Sequence, residues 1–290
     1  MNISCIVATY NRPRYLRRSI ASFAASVVLP LEVLIADDGS TAETIEVVKE
    51  LQERFQQAFP VVHVRQEHDG IRKQRVVNEA VRRSTGDYLF FTDGDCLVHR
   101  LCLKAHLERN DPHAILAGQS VQVGQELTER ILADESVLKS LRARLLVDFI
   151  ARRSHHAKEA FILRSGILRN LLQRDRIKSA TSVIGRNFSI YKKLFLDING
   201  YDEDFWAFGD EDADLGIRVI NSGGFIRSVR NMAIVYHLYH PGTWDMNTEH
   251  FKFNAMIKQR RIENKEQRCK NGIIKYTDED LFPPAQFTAQ

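Results

Sequence analysis

Along the first third of the chain, short apolar runs that stop at polar turns alternate with stretches whose apolar positions recur every three or four residues. Ile3 to Ala8 reads as a buried strand running into the polar loop Thr9-Tyr10-Asn11-Arg12-Pro13. A helix pattern covers Tyr15 to Ser26, and Pro30 marks its end. Leu31 to Ala36 is a second apolar strand, closed by Asp37-Asp38-Gly39-Ser40-Thr41. The spacing then predicts a helix over Ala42 to Phe55, a short strand over Val61 to Arg65, a helix over Gly70 to Ser84 and a fourth strand over Asp87 to Thr92. Strands alternating with helices predict an α/β fold with a mostly parallel, doubly wound sheet. Ligands of such sheets bind beyond the C-terminal ends of the strands.

The texture changes after about residue 125. Glu126 to Lys178 is helix-rich and basic, with Leu and Ile at helical spacing. Its Arg142, Arg144, Arg152, Arg153, His155 and His156 form either a solvated helix face, the simpler reading, or a basic surface for anionic lipid or a phosphorylated acceptor. Motif-like texture resumes from Ser179 to Pro241, and a basic helical stretch, Lys258 to Lys270, precedes a polar end. The expected organisation is a first half over 1–110, a helix-rich insertion over 111–180, a second half of the same domain over 181–245 and a basic helical tail over 246–290.

With 290 residues, 44% hydrophobic and 27% charged, the composition is that of a globular protein able to bury a full core. A net charge of +4 suits phosphate-bearing ligands or an anionic membrane surface without requiring either. No compact basic-aromatic module points to nucleic acid. Cys5, Cys96, Cys102 and Cys269 show no spacing for a metal site or a disulfide framework, which suggests a reducing compartment. The chain enters a strand without a signal-peptide pattern, and no apolar stretch approaches the roughly 18 residues of a membrane span. A cytoplasmic protein is expected, with peripheral contact at the inner face of the membrane and oligomerisation left open.

Three acidic clusters carry candidate chemistry: Asp37-Asp38, Asp93-Gly94-Asp95, and Asp210-Glu211-Asp212-Ala213-Asp214. The second ends an apolar strand with two carboxylates one residue apart. Such a pair repels itself unless a cation intervenes, and hard divalent ions prefer oxygen ligands, although Asp-Gly-Asp can also simply close a turn. The third reads equally as an acidic first helical turn that favours the helix dipole. It follows Phe205-Trp206-Ala207-Phe208, whose rings either stack on sugars or build core.

Taken in order, Ile6-Val-Ala-Thr-Tyr-Asn11, Ala36-Asp-Asp-Gly-Ser-Thr41, Thr92-Asp-Gly-Asp-Cys96, Asn187-Phe-Ser-Ile-Tyr191 and Asn199-Gly-Tyr-Asp-Glu-Asp204 resemble the family-2 inverting glycosyltransferases of the GT-A fold. Phe205 to Val219 resembles the galactosyltransferase-type C-terminal region of chondroitin-polymerase-like and β-1,4-galactosyltransferase-like enzymes. The resemblance covers about 1–110 and 180–241. It implies a Rossmann-like mixed sheet flanked by helices, with a helical insertion. It also implies metal-dependent transfer from a nucleotide-sugar, a UDP-sugar foremost, to a hydroxyl of a glycan or glycolipid acceptor such as lipopolysaccharide or capsule.

By the same resemblance, Asp37 and Asp38 sit at the nucleotide pocket with the Thr9-Tyr10-Asn11 loop, and Trp206 belongs to the donor site. Asp93 and Asp95 hold Mn²⁺ or Mg²⁺, with His237 as a further ligand and His240 as its alternative. Arg72 and Arg75 lie near the diphosphate, or else on an exposed basic helix face. Asp212 is the general base and Glu211 binds hydroxyls, although the galactosyltransferase pattern has glycine where this chain has Asp210. Two rivals stay open. A haloacid-dehalogenase-type phosphatase also places Asp-x-Asp after a strand, but there the motif usually lies in the first strand. A non-catalytic sugar-nucleotide-binding protein is compatible with the fold.

Overall fold

A computed structural model describes residues 1–141, 144, 162–163, 166–171, 177–242 and 248–275. Its first seven elements are β1 (Ile3–Thr9), α1 (Pro13–Ala24), β2 (Glu32–Asp37), α2 (Ala42–Phe55), β3 (Val61–Arg65), α3 (Lys73–Arg83) and β4 (Tyr88–Asp93), in the expected order. Next come β5 (Cys96–Val98), α4 (Cys102–Arg109), β6 (Ala114–Ala117), β7 (Gln119–Gln122), α5 (Gln125–Ala133) and α6 (Gly166–Leu171). The remainder is β8 (Ile177–Lys178), β9 (Phe188–Tyr191), α7 (Lys192–Asp197), α8 (Glu211–Asn221), β10 (Phe225–Ser228), β11 (Ile234–His237) and α9 (Glu249–Glu263).

The large sheet runs β3-β2-β1-β4-β9-β6-β10-β8. Alternation along β1 sends Ile3, Cys5 and Val7 into one core with α1 and α2, and Ile6 into the other with α3 and α8. The chain steps outward from β1 to β3 and then returns to β4 on the other side of β1. That reversal leaves a crevice at the C-terminal end of β1. Parallel register sets Thr9 beside Asp37 and Ala8 beside Asp93, so the first two acidic clusters open into the same crevice.

The sheet is mixed, as the resemblance implies, and mostly parallel: only β9, antiparallel to both β4 and β6, and the edge strand β8 run against the rest. Phe91 of β4 stacks on its partner Phe188 with ring centroids 4.4 Å apart, a pairing of about 0.2–1 kcal/mol that fixes β9 beside the strand carrying Asp93. Asn187, fully buried at the head of β9, donates to the carbonyls of Gln119 and Ala233. It thereby joins the large sheet to a small one ordered β5-β11-β7.

Two of the expected segments hold more than their helical pattern shows. The span 111–180 opens not with helices but with β6 and β7, four-residue strands too short to show a period. Among its basic residues, Arg142, Arg152, Arg153, His155 and His156 lie outside the described residues. The region from 246 carries a helix, as its pattern suggests, and that helix is packed onto the domain. Its helix α9 packs on α8, and Arg261, 1% exposed, donates to Asp214 at 2.8 Å and pairs with Asp202 and Glu266. Arg218, also buried, takes the other Asp214 oxygen at 2.8 Å. Removing one partner from such a buried network leaves uncompensated charge. Arg261→Met is therefore expected to lower unfolding free energy by about 3–5 kcal/mol, read from the urea midpoint.

All four cysteines are buried thiols. Among the described residues, no helix is long and apolar enough to cross a membrane.

Candidate active site

The crevice is built first by its loops. Asn11 adopts a left-handed conformation (φ 49°), donates its backbone N–H to Ser40 Oγ at 2.9 Å and accepts from the Thr41 N–H at 2.8 Å. The loop after β1 is thereby pinned to the loop after β2. Asp37 is fully buried and accepts from the Ser40 N–H and from His63 Nε2, each at 2.9 Å. Burial alone raises its carboxyl, but the His63 and Ser40 hydrogen bonds outweigh it and hold the group below the usual range. Asp38 accepts from Gln66 Nε2 at 2.5 Å and from the Arg72 N–H at 2.9 Å, and here burial prevails and raises the carboxyl. Tyr10 stacks on His68 with centroids 4.6 Å apart and an interplanar angle of 13°. The buried Thr9 hydroxyl has no hydrogen-bond partner among the described residues and faces the Asp93-Gly94-Asp95 turn.

Asp95 meets the small sheet. Antiparallel register sets His237 opposite Cys96, so the imidazole Nε2 lies 3.5 Å from Asp95 Oδ1. His240 Nε2 reaches Asp95 Oδ2 at 3.1 Å, and the Arg12 guanidinium approaches to 4.0 Å. Burial pushes the Asp95 carboxyl up, but the His240 hydrogen bond and the neighbouring His237, His240 and Arg12 hold it down at about 2. His237 Nδ1 bonds the amide oxygen of Gln122 at 2.7 Å, which assigns the hydrogen to Nδ1 and turns the Nε2 lone pair toward Asp95. Burial, stronger than the pull of Asp95, lowers this imidazole and keeps it neutral. Ligand atoms of Asp95, Cys96 and His237 lie within 4.8 Å of one another. Burial raises the Cys96 thiol well above its ordinary value, so the carboxylate and the imidazole are the ready donors. An ionised carboxylate beside an oriented, neutral imidazole fits a divalent cation.

The third cluster arrives from the far side. α8 begins at Glu211 after Gly209 (φ 113°) and Asp210 (φ 67°). Asp210 takes the left-handed geometry a glycine would adopt more readily, and Lys258 Nζ holds its carboxylate at 2.6 Å. A left-handed non-glycine residue costs about 1–3 kcal/mol, so this turn depends on its surroundings. Asp212 accepts from the Gly185 N–H at 2.6 Å and from the Tyr201 hydroxyl at 2.7 Å, which fixes the carboxylate plane. Burial raises the Asp212 carboxyl against the charge of Lys73. Glu211, whose carboxylate accepts from the Gly209 N–H at 2.7 Å, is raised to about 7 by burial and by Asp212 beside it.

Lys73 joins the two sides. Its Nζ donates to Asp93 Oδ1 at 2.8 Å, and burial, which would lower it, is outweighed by Asp93, Asp212 and Glu211, so the ammonium stays charged. Gly185 marks the shared space: a Cβ there would lie 3.0 Å from both Asp212 carboxylate oxygens and 3.1 Å from Lys73 Nζ.

Of the residues expected from sequence, Thr9, Tyr10, Asn11, Asp37, Asp38, Asp93, Asp95, His237, Glu211 and Asp212 gather around this crevice. Arg72 reaches it through its backbone, while its guanidinium lies over the half-exposed Trp206 ring at 5.7 Å. Arg75 is not brought in. It is exposed on α3 and lines an outer groove with Arg65, Glu79 and Arg82. Lys73 takes the inward position instead, and the sequence carried the signal. Lys73, Val77 and Ala80 share the i, i+4, i+7 face that packs on the sheet, whereas Arg75, Glu79 and Arg82 share the outer one. Gly185 and Tyr201 had no such signal, since only tertiary structure brings them to Asp212.

The profile of glycosyl transferase family 2 matches residues 4–195, and that of the N-terminal domain of galactosyltransferase matches residues 171–241. Chondroitin synthase of Escherichia coli is 24% identical over 249 residues, covering 83% of this chain and 35% of that enzyme, so the chain spans about a third of its relative's length. Among solved structures, S. aureus TarS 1–349 in complex with UDP-GlcNAc superposes with a TM-score of 0.60 at 16% identity, over 91% of this chain and 67% of that one. GalNAc-T7 with UDP, GalNAc and Mn²⁺ gives 0.61 at 13% identity, over 90% and 49%. Both share the fold.

Proposed function

This chain belongs to glycosyl transferase family 2, and from that premise we propose that it transfers a sugar, with inversion, from a UDP-sugar to a hydroxyl of a glycan or glycolipid acceptor. One observation carries the reading: a charged lysine, Lys73, hydrogen-bonded to the strand-end acid Asp93, shares the space at Gly185 with the raised carboxylate of Asp212, which lies 119 residues further along the chain (212 − 93). The UDP and UDP-GlcNAc named for the solved structures support the donor class. The name chondroitin synthase supports a glycan acceptor, and we assign the product to surface polysaccharide of the lipopolysaccharide or capsule type, built at the inner face of the membrane.

In this reading, Asp37, Asp38 and the Thr9-Tyr10-Asn11 loop line the nucleotide pocket. Asp95, His237 and Asp93 would hold Mn²⁺ or Mg²⁺, which supplies Lewis-acid neutralisation of charge on a departing diphosphate. Asp212 takes the proton of the attacking acceptor hydroxyl. A bond forms from that oxygen to the anomeric carbon, the bond from this carbon to the phosphate oxygen breaks, and the proton later passes to solvent. Tyr201 and Gly185 hold the carboxylate in one plane through the step. Lys73, whose ammonium Asp93, Asp212 and Glu211 favour, lies where it offsets both Asp212 and the phosphates. Trp206 offers an aromatic face to the sugar.

Lys73→Met is expected to lower kcat/KM by about 10²-fold, because a buried charge-stabilising donor is lost from the reacting centre. Steady-state UDP release reads this effect, and an unchanged kcat/KM would remove Lys73 from the site. The function itself is tested by screening UDP-hexoses and UDP-N-acetylhexosamines for UDP release in the presence of Mn²⁺. Release of UDP from one of them is expected. Release of inorganic phosphate from sugar phosphates instead would favour the phosphatase, and UDP binding without turnover would favour a binding protein.

A further inference from the structure

The turn that delivers Asp212 carries three left-handed residues in four positions: Ala207 (φ 58°), Gly209 (φ 113°) and Asp210 (φ 67°). A short peptide does not hold that conformation by itself, and its surroundings must over-determine it. Much of that support comes from one face of α9, a helix beyond residue 241, where the second family match ends.

Asn254 is 0% exposed and turned wholly onto the loop. Its amide oxygen accepts from the Trp206 N–H at 3.2 Å, and its Nδ2 donates to the carbonyls of Trp206, Gly209 and Phe208 at 2.9, 3.0 and 3.4 Å. One turn earlier, the Phe251 ring packs so closely on Gly209 that a Cβ there would lie 2.5 Å from it. One turn later, Lys258 Nζ pairs with Asp210 Oδ1 at 2.6 Å. Arg261 then grips Asp214, two residues past Asp212, and Asp202, four residues before Trp206. Residues 251, 254, 258 and 261 are spaced three, four and three apart and share a single helix face. α9 thus holds the loop at its crown and at both of its ends.

We propose that α9 is a positioning element for transfer, with Asn254 and Lys258 as positioning residues that fix the turn from which Asp212 is aimed at Lys73 and Gly185. The inference rests on Asp212 as the general base. An element that only stabilised the fold would change the fraction of folded protein and leave turnover per folded molecule alone. A positioning element lowers kcat for every molecule that still binds nucleotide, because small misplacements of a base reach the rate directly.

The test compares the full chain with Asn254→Ala. UDP stoichiometry and affinity are measured by calorimetry, and UDP release is measured with the UDP-sugar the parent turns over fastest. Asn254→Ala is expected to bind UDP within about twofold of the parent and to lose about 10- to 100-fold in kcat per UDP-binding site. If that variant binds UDP at reduced stoichiometry, Lys258→Met decides by the same criterion, with Lys258→Arg expected to restore kcat. Parent-like kcat per UDP-binding site would overturn the proposal. Asp212→Asn is run in parallel: if it keeps turnover, the base assignment fails and this inference fails with it. Loss in Asp212→Asn beside a parent-like Asn254→Ala would sink the positioning role alone.

Discussion

Asp212→Asn is expected to bind UDP as the parent does while kcat falls by about 10²–10⁴-fold. The substitution keeps the shape of the side chain. An amide in that place still has an oxygen to accept from the Tyr201 hydroxyl or the Gly185 N–H, so the turn survives. It has no lone pair basic enough to take a hydroxyl proton. The two neighbouring carboxyls make the assignment sharp, because burial raises both and Glu211 reaches about 7. The parent's activity should accordingly fall on the acid side above the ordinary carboxylate range, as the pair takes up a proton and the base is lost. Turnover within a few fold of the parent in Asp212→Asn would transfer the role to another group, with Glu211 first in line.

Asp95→Ala is expected to abolish the stimulation of UDP binding by Mn²⁺ and to lower transfer by at least about 10²-fold. Three groups converge on this carboxylate: His237, His240 and Arg12. Without it, two imidazoles and a guanidinium face one another with no anion, a poor setting for a dication. Asn at the same position would keep the packing but not the charge, so Asp95→Asn should show the same loss and separates ligation from folding. Calorimetry of both variants with and without Mn²⁺ reads the effect. Retained stimulation in both would assign the cation to other ligands.

The first half of the fold was legible because its strands are buried on both faces and its helices carry a clear 3.6-residue period. Apolar runs ending at Asp37 and at Asp93 announce themselves. The later strands are two to four residues long and lie between helices, so the antiparallel β9 and the small sheet left no pattern to read. The site divides in the same way. Asp93, Asp95 and Asp212 stand out as acids at element ends, whereas Lys73 was obscured by a helix start placed three residues too early, at Gly70 rather than Lys73. The resemblance instead put Arg72 and Arg75 near the diphosphate. Asn254 and Lys258 looked like part of a basic tail, since nothing local tells a solvated helix from one whose polar face binds a loop. Asp210 is the opposite case. Its departure from the glycine pattern put the loop geometry in question, yet the residue adopts the left-handed conformation and is held there by Lys258.

The most direct test of the central claim is a calorimetric titration of the purified chain with UDP, in the presence and absence of Mn²⁺. One UDP per chain, bound markedly more tightly with Mn²⁺ than without it, is the expected result for a donor site at Asp37, Asp38, Asp93 and Asp95. Absence of UDP binding under both conditions would contradict that site and, with it, the assignment of a UDP-sugar donor.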